Sequence, residues 1–259
     1  MHWDTQMSTC LFDADENPGK REQLSMRIAF FGDSLTEGKF GVSFIDPLKL
    51  ALPSCELLNY GEGGDTVISL YQRISQIHPG IEADLAILWI GVNDIFGQMT
   101  WVYRIINTIR KKPHASNRAQ FSSFYRMVLD LLLGHSKMII TIPPLFLGED
   151  LHNKWNRKLD EFSADIRAIS GGYENVRFAN LREAFMERLE ERSKSSYTPT
   201  SMIRFAWDKS TCSTIEEIDR RSSTRGLAFT LDGVHLNSTG AELVSGFFIK
   251  WIERVIQSG

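Results

Sequence analysis

Five short apolar runs, separated in most gaps by stretches of helical period, constrain this chain more than any other feature. Arg27–Phe31 (RIAFF) ends at Gly32-Asp33, Cys55–Tyr60 (CELLNY) ends in glycines, and Asp84–Ile90 (DLAILWI) ends at Gly91. Lys137–Ile142 (KMIITI) stops at Pro143-Pro144, and Asn175–Ala179 (NVRFA) is a weaker fifth. Continuous apolar runs bounded by Gly or Pro suit strands buried on both faces. Thr66–Ile77 spaces Val67, Leu70, Tyr71, Ile74 and Ile77 as one helix face, and Phe121–Leu133 does so with Phe124, Val128, Leu131 and Leu132. Leu151–Ile169 repeats the pattern with Leu151, Trp155, Leu159, Phe162, Ile166 and Ile169, and Gly171-Gly172 supplies a C-cap. Leu181–Arg192 and Ser238–Ile256 are the remaining helical stretches. Strands alternating with helices imply a parallel sheet with helices on both faces, and such sheets place their sites at the carboxyl ends of the strands. The places to look are therefore after Phe31, Tyr60 and Ile90.

Two stretches resist the scheme. Phe96–Ala119 is apolar and basic by turns, and Lys194–Thr230 is rich in Ser, Thr and Arg with weak period. Both are expected to be insertions, because connections of that length are uncommon and often functional or disordered. Residues 1–25 precede the first run and are expected to be a leader that adds little to the core; residues 26–259 form the domain. A chain of 259 residues fits one domain. Lysine plus arginine number 29 against 32 acidic residues, a net charge of −3 that exerts no general pull on nucleic acid or anionic membrane. Cys10, Cys55 and Cys212 form no CxxC pair, which speaks against a zinc or redox motif and fits a reducing compartment. The N-terminal stretch has no basic region followed by an apolar one, and no apolar run is long enough to span a bilayer; a cytoplasmic location is expected.

The strand ends carry the chemistry. Gly32-Asp33-Ser34-Leu35 puts a serine at a strand-to-helix turn, where unpartnered backbone N–H groups can face an oxyanion. Taken alone, Ser34 is better explained as a helix cap. The second end contains Gly61-Glu62-Gly63-Gly64-Asp65, whose glycines let backbone approach a ligand. The third is Gly91-Val92-Asn93-Asp94, where Asn93 offers a side-chain donor or, equally, an Asx turn. Near the C-terminus, Asp232-Gly233-Val234-His235 places a carboxylate where it can orient an imidazole that accepts a serine proton. Asp33, Asp65 and Asp94 read as turn and cap residues.

Together and in this order, the four stretches resemble the blocks of the SGNH, or GDSL-type, esterase and lipase family. Ser34 matches the nucleophile, Gly64 the second block's glycine, Asn93 the third block's donor, and Asp232 and His235 the last block. The resemblance implies a flavodoxin-like, three-layer α/β/α sandwich with a five-stranded parallel sheet. It implies an acyl-enzyme mechanism without metal or cofactor, in which Ser34, Asp232 and His235 are catalytic. Ser34, Gly64 and Asn93 would form the oxyanion hole. The substrate implied is a carboxylic ester: a short acyl ester, a lysophospholipid or an acetylated sugar. Trp101, in a stretch expected to act as a lid, and Phe205 and Trp207, in the Lys194–Thr230 stretch that leads into Asp232, are the candidate substrate contacts. The G-x-S-x-G elbow of another hydrolase design does not occur. A phosphate or nucleotide binder is the main rival, since Gly32 to Lys39 resembles a P-loop. Yet five residues separate its glycines instead of four, and Phe40 stands where Ser or Thr is needed. A metal phosphatase and a catalytically silent binding module are weaker rivals.

Overall fold

The structure is a computed structural model and describes residues 26–77, 82–99, 105, 109, 112–192, 195, 197 and 202–258. Residues 1–25, expected to be a leader, and Trp101 lie outside the described residues. All five apolar runs are strands: β1 (Met26–Gly32), β2 (Cys55–Gly61), β3 (Ala83–Trp89), β4 (Ser136–Ile142) and β5 (Val176–Phe178). They pair in parallel as one five-stranded sheet in the order β2-β1-β3-β4-β5. The chain thus leaves β1 towards β2 and returns past β1 to β3, so the order reverses at β1 and β3. In an open parallel sheet this switch point leaves a crevice beyond the strands' carboxyl ends.

The helices, in chain order, are α1 (Ser34–Glu37), α2 (Ile45–Ala51), α3 (Val67–Ile77), α4 (Val92–Met99) and α5 (Arg118–Leu133). They continue as α6 (Lys154–Ser170), α7 (Leu181–Arg192), α8 (Met202–Thr211), α9 (Ile215–Thr224) and α10 (Ser238–Ser258). Side chains alternate across each strand, so the two sheet faces receive different residues. Ala29, Phe31, Ala86 and Leu88 join a core with Leu70 and Ile74 of α3, Phe121 and Val128 of α5, and Leu159 and Phe162 of α6. Ile28, Phe30, Leu85, Ile87 and Trp89 face the other way, against Leu48 of α2, Phe185 of α7 and Val244 and Phe248 of α10. The result is a three-layer α/β/α sandwich. Aromatic pairs lock both layers: Phe121 stacks on Phe162 at 4.3 Å, and Phe30 meets Phe44 and Phe248 edge-on at 5.9 and 5.8 Å.

The stretch from Lys194 to Thr230 is not a bare connection, because it contains α8 and α9. Helix α9 buries only Ile218 and Ser222, which gives too weak a period to recognise. What holds its start is a capping box in which Thr214 and Glu217 exchange bonds with each other's backbone. Within Phe96–Ala119, α4 runs on to Met99 and Asn117 caps α5 through Gln120 N. No helix among the described residues is long and apolar enough to cross a membrane.

Candidate active site

The turn after β1 sets up Ser34. A Cβ on Gly32 would stand 2.2 Å from Thr36 Oγ1 and 2.4 Å from the Trp89 carbonyl, so no larger residue fits where β1 passes β3. The cap of α1 is Asp33, whose carboxylate accepts the Leu35 N–H at 3.0 Å. Ser34 is therefore the first helical residue rather than the cap, and its hydroxyl is released from that duty. Its N–H, like that of any first helical residue, has no acceptor within the helix. Asp33 is 2% exposed, and this burial pushes its carboxyl up to about 7.

The hydroxyl meets the loop before α10. Thr230 and Leu236 form an antiparallel bridge, Leu231 N donates to the His235 carbonyl at 2.8 Å, and Gly233 turns the chain at φ 86°. Inside this hairpin, Asp232 Oδ1 accepts the backbone N–H groups of Val234 and His235 at 3.1 and 2.9 Å. Its Oδ2 lies 2.9 Å from His235 Nδ1, and His235 Nε2 lies 2.9 Å from Ser34 Oγ. An ionised carboxylate only accepts, so Nδ1 carries the proton and Nε2 is left to accept from the serine. Burial alone would raise the Asp232 carboxyl, but the adjacent imidazole and the hydrogen bonds hold it below the usual carboxylate range. Asp232 and His235 are 4% and 5% exposed, so their interaction is little screened.

Buried charge braces the loop from outside. Glu149, at 2% exposure, accepts the N–H groups of Ala228, Phe229 and Thr230 and the Thr230 hydroxyl, at 2.6–2.9 Å. Thr230 Oγ1 in turn accepts the Gly233 N–H at 3.1 Å, and Gly148 N donates to the Gly233 carbonyl at 2.8 Å. Asp208 of α8, fully buried, is paired with Arg221 at 2.7 Å and Arg225 at 2.8 Å, and Arg225 donates to the Leu231 carbonyl. Sequence reading missed both acids. Nothing around Glu149 in PPLFLGED announces its role, whereas the Arg221/Arg225 spacing on and just after α9 was a usable hint for Asp208.

The β2 end closes the other side. Glu62 N donates to the Gly32 carbonyl at 3.0 Å, and a Cβ on Gly63 would lie 3.9 Å from Ser34 Cβ. Gly64 adopts φ 81°, a conformation that side chains disfavour, and among the described residues its N–H has no hydrogen-bond partner. Asn93, in the first turn of α4, donates one amide N–H to the Asp65 carbonyl at 2.9 Å; its amide carries a second. Asp65 is held by Arg73 and Lys112 at 2.8 and 2.9 Å. Asp94 is fully buried and accepts the N–H groups of Val67 and Ala115 at 3.0 and 3.1 Å, tying α4 to the start of α3. Its burial pushes the carboxyl up to about 7. The three acids are thus cap and tether residues, and a hydroxyl, an imidazole and a carboxylate meet at the switch point, with a Gly64 N–H that has no partner among the described residues close by.

Of the proposed substrate contacts, Phe205 lies 5.5 Å from the His235 ring and 5.2 Å from Phe40, which itself meets the imidazole edge-on at 4.6 Å. Trp207 is 64% exposed and has no ring contact with His235. Phe40 was missed as a site residue because no local motif marks it. Lys39, the lysine of the P-loop reading, is exposed and bonded to Glu37 at 2.7 Å. Among the described residues, no group of three His, Cys, Asp or Glu side chains is arranged to hold a metal ion.

Solved structures of similar fold include an acetylxylan esterase from Geobacillus stearothermophilus, studied as a catalytic mutant. It is 19% identical over 88% of this chain and 94% of that one, with a TM-score of 0.60. The acetyl xylan esterase AlAXEase is 20% identical over 87% of this chain and 99% of that one, at 0.61. LAE5, an alpha/beta hydrolase enzyme from the metagenome of Lake Arreo, Spain, is 16% identical over 87% and 94%, at 0.60. The Geobacillus enzyme has further mutants called catalytic, one at an aspartate and one at a histidine three positions later. No curated protein matches the chain by sequence. The sequence model of the GDSL-like Lipase/Acylhydrolase family, however, matches residues 30–243, a span that runs from β1 into α10 and contains every strand-end stretch described above. This chain belongs to that family, and it is an ester-hydrolysing serine hydrolase.

Proposed function

We propose that Ser34 is the nucleophile of an esterase that removes acetyl or other short acyl groups from a carbohydrate-like alcohol through an acyl-enzyme. The observation that carries the mechanism is the continuous relay from Asp232 through His235 to Ser34, with 2.9 Å at both links. As Ser34 Oγ bonds to the ester carbon, His235 Nε2 takes its proton and Asp232 stabilises the imidazolium. The N–H groups of Ser34 and Gly64 and the second amide N–H of Asn93 receive the negative charge on the carbonyl oxygen. His235 then gives its proton to the departing alkoxide, leaving the acyl group on Ser34. Water enters, loses a proton to His235 and releases the acid, and Ser34 recovers its proton.

Two observations support the substrate class. The chain spans nearly the whole length of the acetylxylan esterases it resembles. The Phe40 and Phe205 rings lie together against the imidazole that protonates the leaving alcohol, so the alcohol half meets aromatic surface on which the apolar face of a sugar ring can pack. The test is acetate release from acetylated xylooligosaccharides, beside a series of p-nitrophenyl esters from acetate to decanoate. The proposal requires acetate release and a kcat/KM that falls with chain length. A maximum at octanoate or longer, with no acetate release, would replace it with a lipase reading.

A further inference from the structure

We propose that Lys112 is a positioning residue that strengthens the Gly64 N–H as a donor to the reacting carbonyl oxygen. The inference rests on the reading of Gly64 as part of the oxyanion hole. Lys112 Nζ donates to the Gly63 carbonyl at 3.0 Å, to Asp65 Oδ1 at 2.9 Å and to Glu62 Oε1 at 2.7 Å. An ammonium has three N–H bonds, so these partners use all of them and fix its place. The Gly63 carbonyl and the Gly64 N–H are the two ends of one peptide unit. Resonance couples those ends: a cation on the oxygen favours the form with negative charge on oxygen and positive charge on nitrogen. The N–H at the far end becomes a stronger donor, as in any chain of mutually polarising hydrogen bonds.

The surroundings suit this role. On its other side Gly63 donates its N–H to Glu37 Oε2 at 3.2 Å, so a carboxylate holds one end of the residue and an ammonium the other. That arrangement fixes the plane of the Gly63–Gly64 peptide in a stretch of glycines that would otherwise be free to turn. The Lys112 side chain is 13% exposed, so solvent screens its charge only partly. Its stem passes 3.7 Å from where a Gly64 Cβ would be, covering the loop from outside. Asp65 and Glu62 are shared with Arg73, which keeps the local charge near balance when the lysine is present. Lys112 stands outside all four strand-end stretches and reaches the loop from the segment before α5.

Three variants separate the charge from the tether: Lys112→Met keeps the stem, Lys112→Gln keeps a neutral donor, and Lys112→Arg keeps the cation. On p-nitrophenyl acetate, kcat should fall about tenfold in Lys112→Met with KM unchanged, equivalent to one decade of transition-state stabilisation. Lys112→Arg should stay within about threefold of the parent, and Lys112→Gln should lie between. In the free protein, the Gly64 amide proton should move upfield in Lys112→Met and return in Lys112→Arg. An unchanged kcat in Lys112→Met, a Gly64 resonance that does not move, or an arginine variant as slow as the methionine one would each overturn the inference. Ser34→Ala and Asn93→Ala run beside them as controls. If Asn93→Ala keeps full activity, the oxyanion-hole reading itself fails, and if Ser34→Ala does, the nucleophile reading fails; if both are slow while Lys112→Met is not, only the role of Lys112 fails.

Discussion

Ser34 Oγ and His235 Nε2 lie 2.9 Å apart although 201 positions separate them in the chain. Ser34 is set by the turn after β1, and His235 by a hairpin hung from Glu149, Gly148 and Val42, the last donating to the Leu236 carbonyl at 2.8 Å. The contact is therefore a property of the carboxyl edge of the sheet, where independent loops meet, and of no single motif.

Replacing Asp232 with Asn should leave the hairpin standing, since the amide oxygen still accepts from Val234 and His235 N. The other position would now offer an N–H to Nδ1 and hold His235 in the wrong tautomer. The expected result is a fall in kcat of about ten-thousand-fold with little change in unfolding midpoint. Steady-state kinetics with a thermal melt check it; a loss below tenfold would remove Asp232 from the mechanism.

Asn93→Ala should act on the transition state alone. Loss of one oxyanion donor costs about 3–4 kcal/mol, so kcat should fall about a hundred- to a thousand-fold while KM stays put. The bond to the Asp65 carbonyl is also lost, so the variant should be slightly less stable. A rise in KM at constant kcat would make Asn93 a ground-state contact instead.

How much of this was legible before the fold is best seen residue by residue. The strands were, because buried parallel strands are written as unbroken apolar runs, and Ile28 to Phe31 are all at most 1% exposed. The candidate site was legible as a set of strand ends and one turn in order: Ser34 and Asn93 stand in the first turns of the helices that follow β1 and β3, and Gly64, Asp232 and His235 lie in loops. Helices α8 and α9 were not: α9 buries only Ile218 and Ser222 and starts at a capping box, and Asp208 of α8 is paired with arginines 13 and 17 positions on, which leaves no local period to read. Glu149 and Lys112 were hidden for another reason. Their partners are backbone atoms and acids 47 to 81 positions away, and long-range pairing leaves no local pattern.

Glu149→Ala should be the most destabilising of these changes. It strips a buried carboxylate from three backbone N–H groups and a hydroxyl. Buried donors left without partners cost about 1–3 kcal/mol each, so a loss of at least 3 kcal/mol is expected even if the loop relaxes. Urea unfolding measures it, and a loss below about 1 kcal/mol would mean that the loop before Asp232 is held by other contacts.

The pH dependence of stability should reveal Asp33. Its carboxyl is raised by burial from 3.8 to about 7, so between those values the folded chain keeps a proton that the unfolded chain has released. Stability from this group is therefore full at the acid end and falls as pH rises through the window, by up to about 1.4 kcal/mol per pH unit. Asn is an equally good helix cap but does not titrate, so Asp33→Asn should gain stability relative to the parent from pH 4.5 to 7.5. Parallel urea midpoints across that range would contradict the assignment.

The most direct test of the central claim is covalent capture. The protein is treated with a fluorophosphonate, digested, and the adduct located by peptide mass spectrometry. A single phosphonyl group on Ser34 is predicted, formed at least a hundredfold more slowly in His235→Ala and absent in Ser34→Ala, with p-nitrophenyl acetate hydrolysis lost in step. An adduct on another residue, or full esterase activity in Ser34→Ala, would contradict it.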